Sequence, residues 1–138
     1  MIELTDILHK EDCSCVICKD SRISMFRQRG VKDLLYLLKS ESGILQGAMI
    51  ADKVVGKGAA AIMTLGGVAS VYADIISIPA LELLEKAHIP VTYGIVVPNI
   101  INRAGTGICP IETLCIDCKS AVECLPRIEN FVNKQNNN

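Results

Sequence analysis

Three stretches of the sequence predict an α/β fold in which helices cover a mixed sheet. From Val68 to Val97 the chain reads VASVYADIISI, then PALELLEKAH opened by Pro79, then VTYGIVV after Pro90. Two apolar strands joined by one short-linked helix make a parallel βαβ unit the economical arrangement. Earlier, CSCVICK and ISMFR flank Lys19-Asp20-Ser21-Arg22, and two short apolar runs around turn formers predict an antiparallel hairpin. Between them and the βαβ unit, Val31 to Ser40 (VKDLLYLLKS) has the 3.6-residue apolar period of an amphipathic helix. Asp33 stands early and Lys39 late in it, as the helix dipole favours.

The other elements follow in order. Residues 2–9 predict a short helix, and Ser42-Gly43 stops the helix that begins at Val31. Ala48 to Leu65 (AMIADKVVGKGAAAIMTL) is expected to be one buried central helix, with Ile50, Val54, Val55, Ala59, Ile62 and Met63 on its apolar side. Asp52 would then lie in its first turn, and Lys53 and Lys57 would share a face. Gly56 and Gly58 each cost about 1 kcal/mol against alanine inside a helix, which predicts close backbone approach by a sheet or a ligand. Gly66-Gly67 would end the helix. Pro98 to Gly107 reads as a loop, Cys109 to Asp117 as a short helix, and residues 120–133 as a helix interrupted or restarted at Pro126. Residues 1–133 thus form a single domain, followed by a disordered polar tail at 134–138.

The totals narrow the function classes. Half of the 138 residues are hydrophobic and 21% are charged, with a formal net charge of -1. That balance gives no electrostatic case for nucleic acid or an anionic membrane, and with only 4% aromatic residues stacking platforms are not expected. No apolar run approaches the ~18 residues of a membrane span, and MIELTDILHKEDCSC does not resemble a signal peptide. A cytoplasmic location is expected. The seven cysteines are odd in number, and in a reducing compartment they predict free thiols rather than disulfides.

Cys109, Cys115, Cys118 and Cys124 cluster near the C-terminus, with metal-ligand spacing only in Cys115-x2-Cys118. Cys13 and Cys15 are expected on one face of the first strand and Cys18 on the other. No metal is assigned to either group. His9 and His88 fall at helix ends, and no serine elbow is present. A phosphate loop is also missing, since Ala51 and Gly58 occupy positions that need glycine and serine or threonine around Gly56-Lys57.

The strongest polar cluster follows the second strand of the βαβ unit: Asn99, Asn102, Arg103 and Gly107 to Glu112. Ligands of open α/β sheets bind beyond the C-terminal ends of parallel strands. Arg103 could hold a phosphate or carboxylate through paired hydrogen bonds. Cys109, at a helix start, could be a nucleophile. Glu112 could pair with Arg103 or with a lysine of the central helix; a structural Arg–Glu pair closing the loop is the alternative.

The run ADKVVGKGAAAIM, followed by PALELLEKAHIPVTYGIVVPNIINRAGTGICPIE, resembles the DUF1893 family, with DKVVGK, NR and CPIE as its most specific motifs. The resemblance implies a three-layer α/β/α, cytidine deaminase-like fold. Zinc deaminases carry H-x-E or C-x-E at one helix start and P-C-x-x-C at the next. Here the resemblance sets Ile50-Ala51-Asp52 at the first place and Pro79-Ala80-Leu81-Glu82-Leu83 at the second, so all three zinc ligands are replaced. No zinc or other cofactor is expected, and zinc-dependent deamination is not. The expected function is a zinc-free deaminase-like domain whose cleft binds a nucleotide or related phosphorylated small molecule. Asp52, Lys53, Lys57, Asn102, Arg103, Cys109 and Glu112 would line it, with Asp52, Lys57 and Cys109 as candidates for any catalysis. A cysteine-based redox or metal sensor and a ligand-free interaction domain are the alternatives, and apolar strand edges would suit a homo-oligomer.

Overall fold

The computed structural model describes residues 3–28 and 30–136. Its core is a five-stranded sheet in the order β2-β1-β3-β4-β5. β1 (Cys15–Lys19) pairs antiparallel with β2 (Arg22–Phe26) and with β3 (Met49–Val55). β3 pairs parallel with β4 (Ser70–Ser77), and β4 with β5 (Val91–Val97). The fold is therefore α/β with a mixed sheet. The β1–β2 link is a two-residue turn in which Asp20 and Ser21 both have positive φ, 50° and 67°, the backbone handedness that matches a twisted hairpin.

Helices cover both faces. α1 (Leu4–Lys10) lies on one, packing Leu8 against Cys13, Val16 and Ala51. His9 reaches from it to the Asp74 carboxylate on β4 at 2.8 Å, and the Tyr72 hydroxyl donates to the same group at 2.7 Å. On the other face, α4 (Lys57–Gly66) is the hub, touching α2 (Lys32–Ser40), α3 (Ser42–Leu45), α5 (Ile78–Lys86), α6 (Pro110–Cys115) and α7 (Ala121–Asn136). Every residue from Lys57 to Met63 is buried. Gly67 closes α4 in the left-handed conformation, φ 72°. α5 begins under a Ser77 cap whose hydroxyl accepts from the Ala80 N–H, with Pro79 in the first turn.

Three expectations are corrected. The stretch 48–65 is not one helix: Met49–Val55 is the third strand, and the helix starts only at Lys57. β3 lies between the main core and the α1 layer, with Ile50 and Val55 in the first and Ala51 in the second. Burial on both sides removes the polar alternation that would have marked a strand. α2 ends at Ser40, ahead of Ser42-Gly43 as expected, and Ser42 opens the separate single turn of α3. Cys13 and Cys15 do not share a face, since Cys13 packs with α1 and Cys15 joins the main core. Finally, α7 runs unbroken through Pro126 to Asn136, so residues 134–136 are helical. Its buried face is Ala121, Cys124, Ile128 and Val132, while Pro126 and Val122 are exposed. The carbonyl that proline leaves without an amide partner is thus on the solvent side.

Among the described residues, no helix is long and apolar enough to cross a membrane. The sheet has two edges, β2, where Ile23 and Met25 are exposed, and β5, where Tyr93 and Ile95 are exposed.

A candidate cleft at the C-terminal end of β3

α4 begins one residue after β3, so its first amide groups emerge at the C-terminal end of a parallel strand. Gly56 is the cap residue and has no side chain to satisfy them. Glu112 of α6 does so instead. It is 2% exposed, and its carboxylate accepts from the backbone N–H of Lys57 (2.7 Å), the Ser77 hydroxyl (3.2 Å) and the backbone N–H of Ile100 (2.6 Å). One side chain therefore joins the start of α4, the cap of α5 and the loop after β5. The two glycines serve this approach: a Cβ on Gly58 would stand 2.4 Å from Cγ2 of Ile111, and one on Gly56 3.2 Å from Ile100. The neighbour they admit is α6 and its loop, rather than a sheet.

Beside this junction lies a cleft of about 820 Å3, bounded by β1 and the chain after β2, the start of α2, the end of β3, the 100–112 segment and the end of α7. Of the residues singled out from sequence, Asp52, Lys53, Asn102, Arg103, Cys109 and Glu112 all border it. Lys57 does not. Its side chain is buried and its ammonium donates to the carbonyls of Cys118 (2.6 Å) and Ile116 (3.3 Å), just past the end of α6.

Asp52 and Lys53 sit on β3 and not in a helical turn. The Asp52 carboxyl forms part of the cleft floor, and burial pushes its pKa up to about 7 against the lowering pull of the Val54 and Lys53 amides and the Cys15 thiol. Lys53 pairs with Asp12 at 2.5 Å, which lowers the Asp12 pKa. Asn102 shapes its own turn, accepting from the Thr106 N–H at 3.0 Å and donating to the Thr106 hydroxyl at 3.2 Å. Arg103 is exposed and makes no ion pair among the described residues; with Gln28, Lys32 and Gln135 it lines a smaller adjoining recess. Neither ion pair considered for Glu112, with Arg103 or with a lysine ammonium of the central stretch, forms among the described residues, because its carboxylate is occupied at the α4 junction. Cys109 is the cap residue of α6 and faces the cleft.

Sequence reasoning missed the walls supplied by Phe26, Lys32, Asp33 and Phe131, and above all Cys15. In the β1–β3 register Cys15 is the direct partner of Asp52, and the two side chains interact. Only the pairing of strands 37 residues apart brings them together, so no local spacing announces them.

The remaining thiols form a separate group. Cys115, Cys118 and Cys124 are buried between α6 and α7, and Cys124 interacts with both of the others. The contact with Cys124 lowers the Cys115 pKa, whereas burial raises that of Cys118. Among the described residues, no three His, Cys, Asp or Glu side chains are arranged to hold a metal ion.

The model of a family described as TM1506, domain of unknown function (DUF1893), matches residues 3–132. The chain belongs to the DUF1893 family. A DUF1893 family protein (TM1506) from Thermotoga maritima, known from a crystal structure, is 25% identical and aligns over 94% of this chain and 92% of that one, with a TM-score of 0.84. Acinetobacter baumannii RibD (form 2) aligns at 18% identity over 58% of this chain and 27% of that one, with a TM-score of 0.44. No curated protein matches.

The helix starts of this DUF1893 chain can be compared with the ligand set of a zinc deaminase. Residues 50–52 lie within a strand, so the start of α4 is Gly56-Lys57-Gly58, and that of α5 is Ser77-Ile78-Pro79-Ala80. Neither supplies an imidazole or a thiolate, and the Ser77 hydroxyl is engaged with Glu112. These residues do not fit a three-ligand zinc site.

Proposed function

We propose that this protein is a zinc-free deaminase-like domain that binds a nucleotide or related phosphorylated small molecule in the cleft at the end of β3. The observation that carries this reading is the pairing of cations with apolar wall in one concavity. Lys32 and Arg103 stand together at the mouth, while Phe26, Ile100 and Phe131 line the interior. A volume of about 820 Å3 falls in the range of small-molecule sites, which are mostly apolar with a few fixed polar groups. Arg103 would hold the phosphate through two parallel hydrogen bonds. Lys57, locked onto the Ile116 and Cys118 carbonyls just past α6, has no part in it.

The test is isothermal titration calorimetry of a panel of nucleoside monophosphates against the wild-type protein, Arg103→Ala and Lys32→Ala. Saturable binding that weakens about tenfold or more in Arg103→Ala, as expected for loss of a charged hydrogen bond of ~1.5–3 kcal/mol, supports the proposal. No binding by any of them, or equal binding in all three proteins, overturns it.

The convergence of Cys115, Cys118 and Cys124 favours a second reading as a thiol-based sensor. Zinc or copper copurifying with those thiols, or their oxidation ahead of Cys18 and Cys109, would displace the first.

A further inference from the structure

The floor of the cleft holds a pair of groups that ligand binding alone does not require. Cys15 is buried and yet borders the cleft, and its cross-strand neighbour Asp52 borders it too. Both sit on strands in the middle of the sheet, and middle strands hold side chains more rigidly than loops do. A thiol set against a carboxyl at the closed end of a concavity is the arrangement of a nucleophile beside its base.

We infer that Cys15 is a nucleophile and Asp52 the group that takes its proton, acting on an electrophilic carbon of the anionic ligand held at the Lys32–Arg103 mouth. This rests on the cleft being a ligand site, but adds a covalent step that binding does not imply. In that step a bond forms between Sγ of Cys15 and the carbon, and the thiol proton passes to Asp52. If the carbon belongs to a C=O or C=N bond, the π bond breaks, its electron pair moves to the oxygen or nitrogen, and that atom takes the proton from Asp52. No outside oxidant or reductant is needed.

The electrostatics agree with a base-assisted thiol rather than a free thiolate. Burial and the nearby carboxylates of Asp52 and Asp33, with Cys13 beyond them, hold the Cys15 thiol protonated. Burial, with Asp74 on β4 adding to it, brings Asp52 to about 7, the range in which a carboxylate can both accept and return a proton near neutral pH. Lys53, the nearest cation on β3, is already paired with Asp12.

The experiment is carboxymethylation of the folded protein with iodoacetate, an anionic electrophile, read residue by residue by peptide mass mapping from pH 5 to 10. With this probe the Sγ–C bond forms as the C–I bond breaks, and iodide leaves with the electron pair. The expected result is that Cys15 reacts faster than the partly exposed Cys18 and Cys109. Its rate should rise through about pH 7 and level off. In Asp52→Asn the rate at pH 7.5 should fall at least tenfold, and its rise should shift to the alkaline ionisation of the thiol itself.

An unmodified Cys15 beside reacting Cys18 and Cys109 overturns the inference. So does a wild-type rate that climbs without levelling up to pH 10, which needs no variant to observe. The failures separate cleanly: nucleotide binding with an inert Cys15 removes only the covalent step, while a reactive Cys15 without nucleotide binding removes only the assigned ligand.

Discussion

The Glu112 carboxylate accepts from the backbone N–H of Lys57 at 2.7 Å, while the Lys57 ammonium points away to the carbonyl of Cys118 at 2.6 Å. The two residues have opposite charges but do not form a salt bridge. Each instead satisfies the unpaired backbone groups of the other's helix, Glu112 at the positive start of α4 and Lys57 just past the negative end of α6. α6 is thereby held against α4 at both ends, and the cleft wall formed by residues 100–112 is held with it.

Removing the carboxylate leaves the buried amide of Lys57 and the half-buried amide of Ile100 without an acceptor. Orphaned donors of this kind cost about 1–3 kcal/mol each, so Glu112→Ala should lower unfolding stability by about 3–5 kcal/mol in urea titrations. Glu112→Gln keeps one acceptor oxygen and should lose roughly half as much.

Gly58→Ala sets two effects against each other. Helix propensity favours alanine by about 1 kcal/mol, but the new Cβ would lie 2.4 Å from Cγ2 of Ile111. Overpacking costs about 1–3 kcal/mol, so the variant should melt at lower temperature than the wild type. Adding Ile111→Ala should restore part of the loss, a non-additivity that calorimetry of the two single variants and the double variant will reveal.

Asp52 gives stability a pH dependence of definite sign. Its pKa rises from 3.8 in the unfolded chain to about 7 in the folded one. Between those values the folded state holds a proton that the unfolded state has released, so stability falls as pH rises from about 4 to about 7 and is level beyond. A shift of some three units corresponds to roughly 4 kcal/mol. The difference between wild type and Asp52→Asn in urea midpoint, followed from pH 4 to pH 8, should show this decline and no further change above it.

Pro126 lies inside α7 on its exposed side. Replacing it by alanine restores one helical hydrogen bond without disturbing the face packed on α4. Pro126→Ala should therefore stabilise the protein by about 1–3 kcal/mol, less than the full propensity difference because water already solvates the freed carbonyl.

Much of the fold was legible where the local pattern had a single solution. The hairpin, the helix at 32–40, Pro79 and the parallel unit around it are of this kind, because turn residues and apolar period agree there. β3 was not legible: Ile50 to Val55 fits either period, and the alanines that follow extend a helical pattern backwards across Gly56. The cleft cluster after β5 could be located from topology alone. What Lys57 does could not, because its ammonium is taken by carbonyls 59 and 61 residues away. Cys15 was hidden for a related reason: its partner is set by strand register and not by spacing along the chain.

The span of the Glu112 junction also has a consequence for the order of events in folding. Its contact to Lys57 joins residues 55 apart, and that to Ser77 residues 35 apart. The first encloses α4, β4, α5 and β5 and the second α5 and β5, so both close late, once that intervening chain is ordered. The junction is then a latch set after the rate-limiting step. Glu112 variants should refold at the wild-type rate in stopped-flow measurements and unfold faster by nearly the whole of their lost stability. The persistence of the native state would thus depend on a side chain that does little to speed its formation.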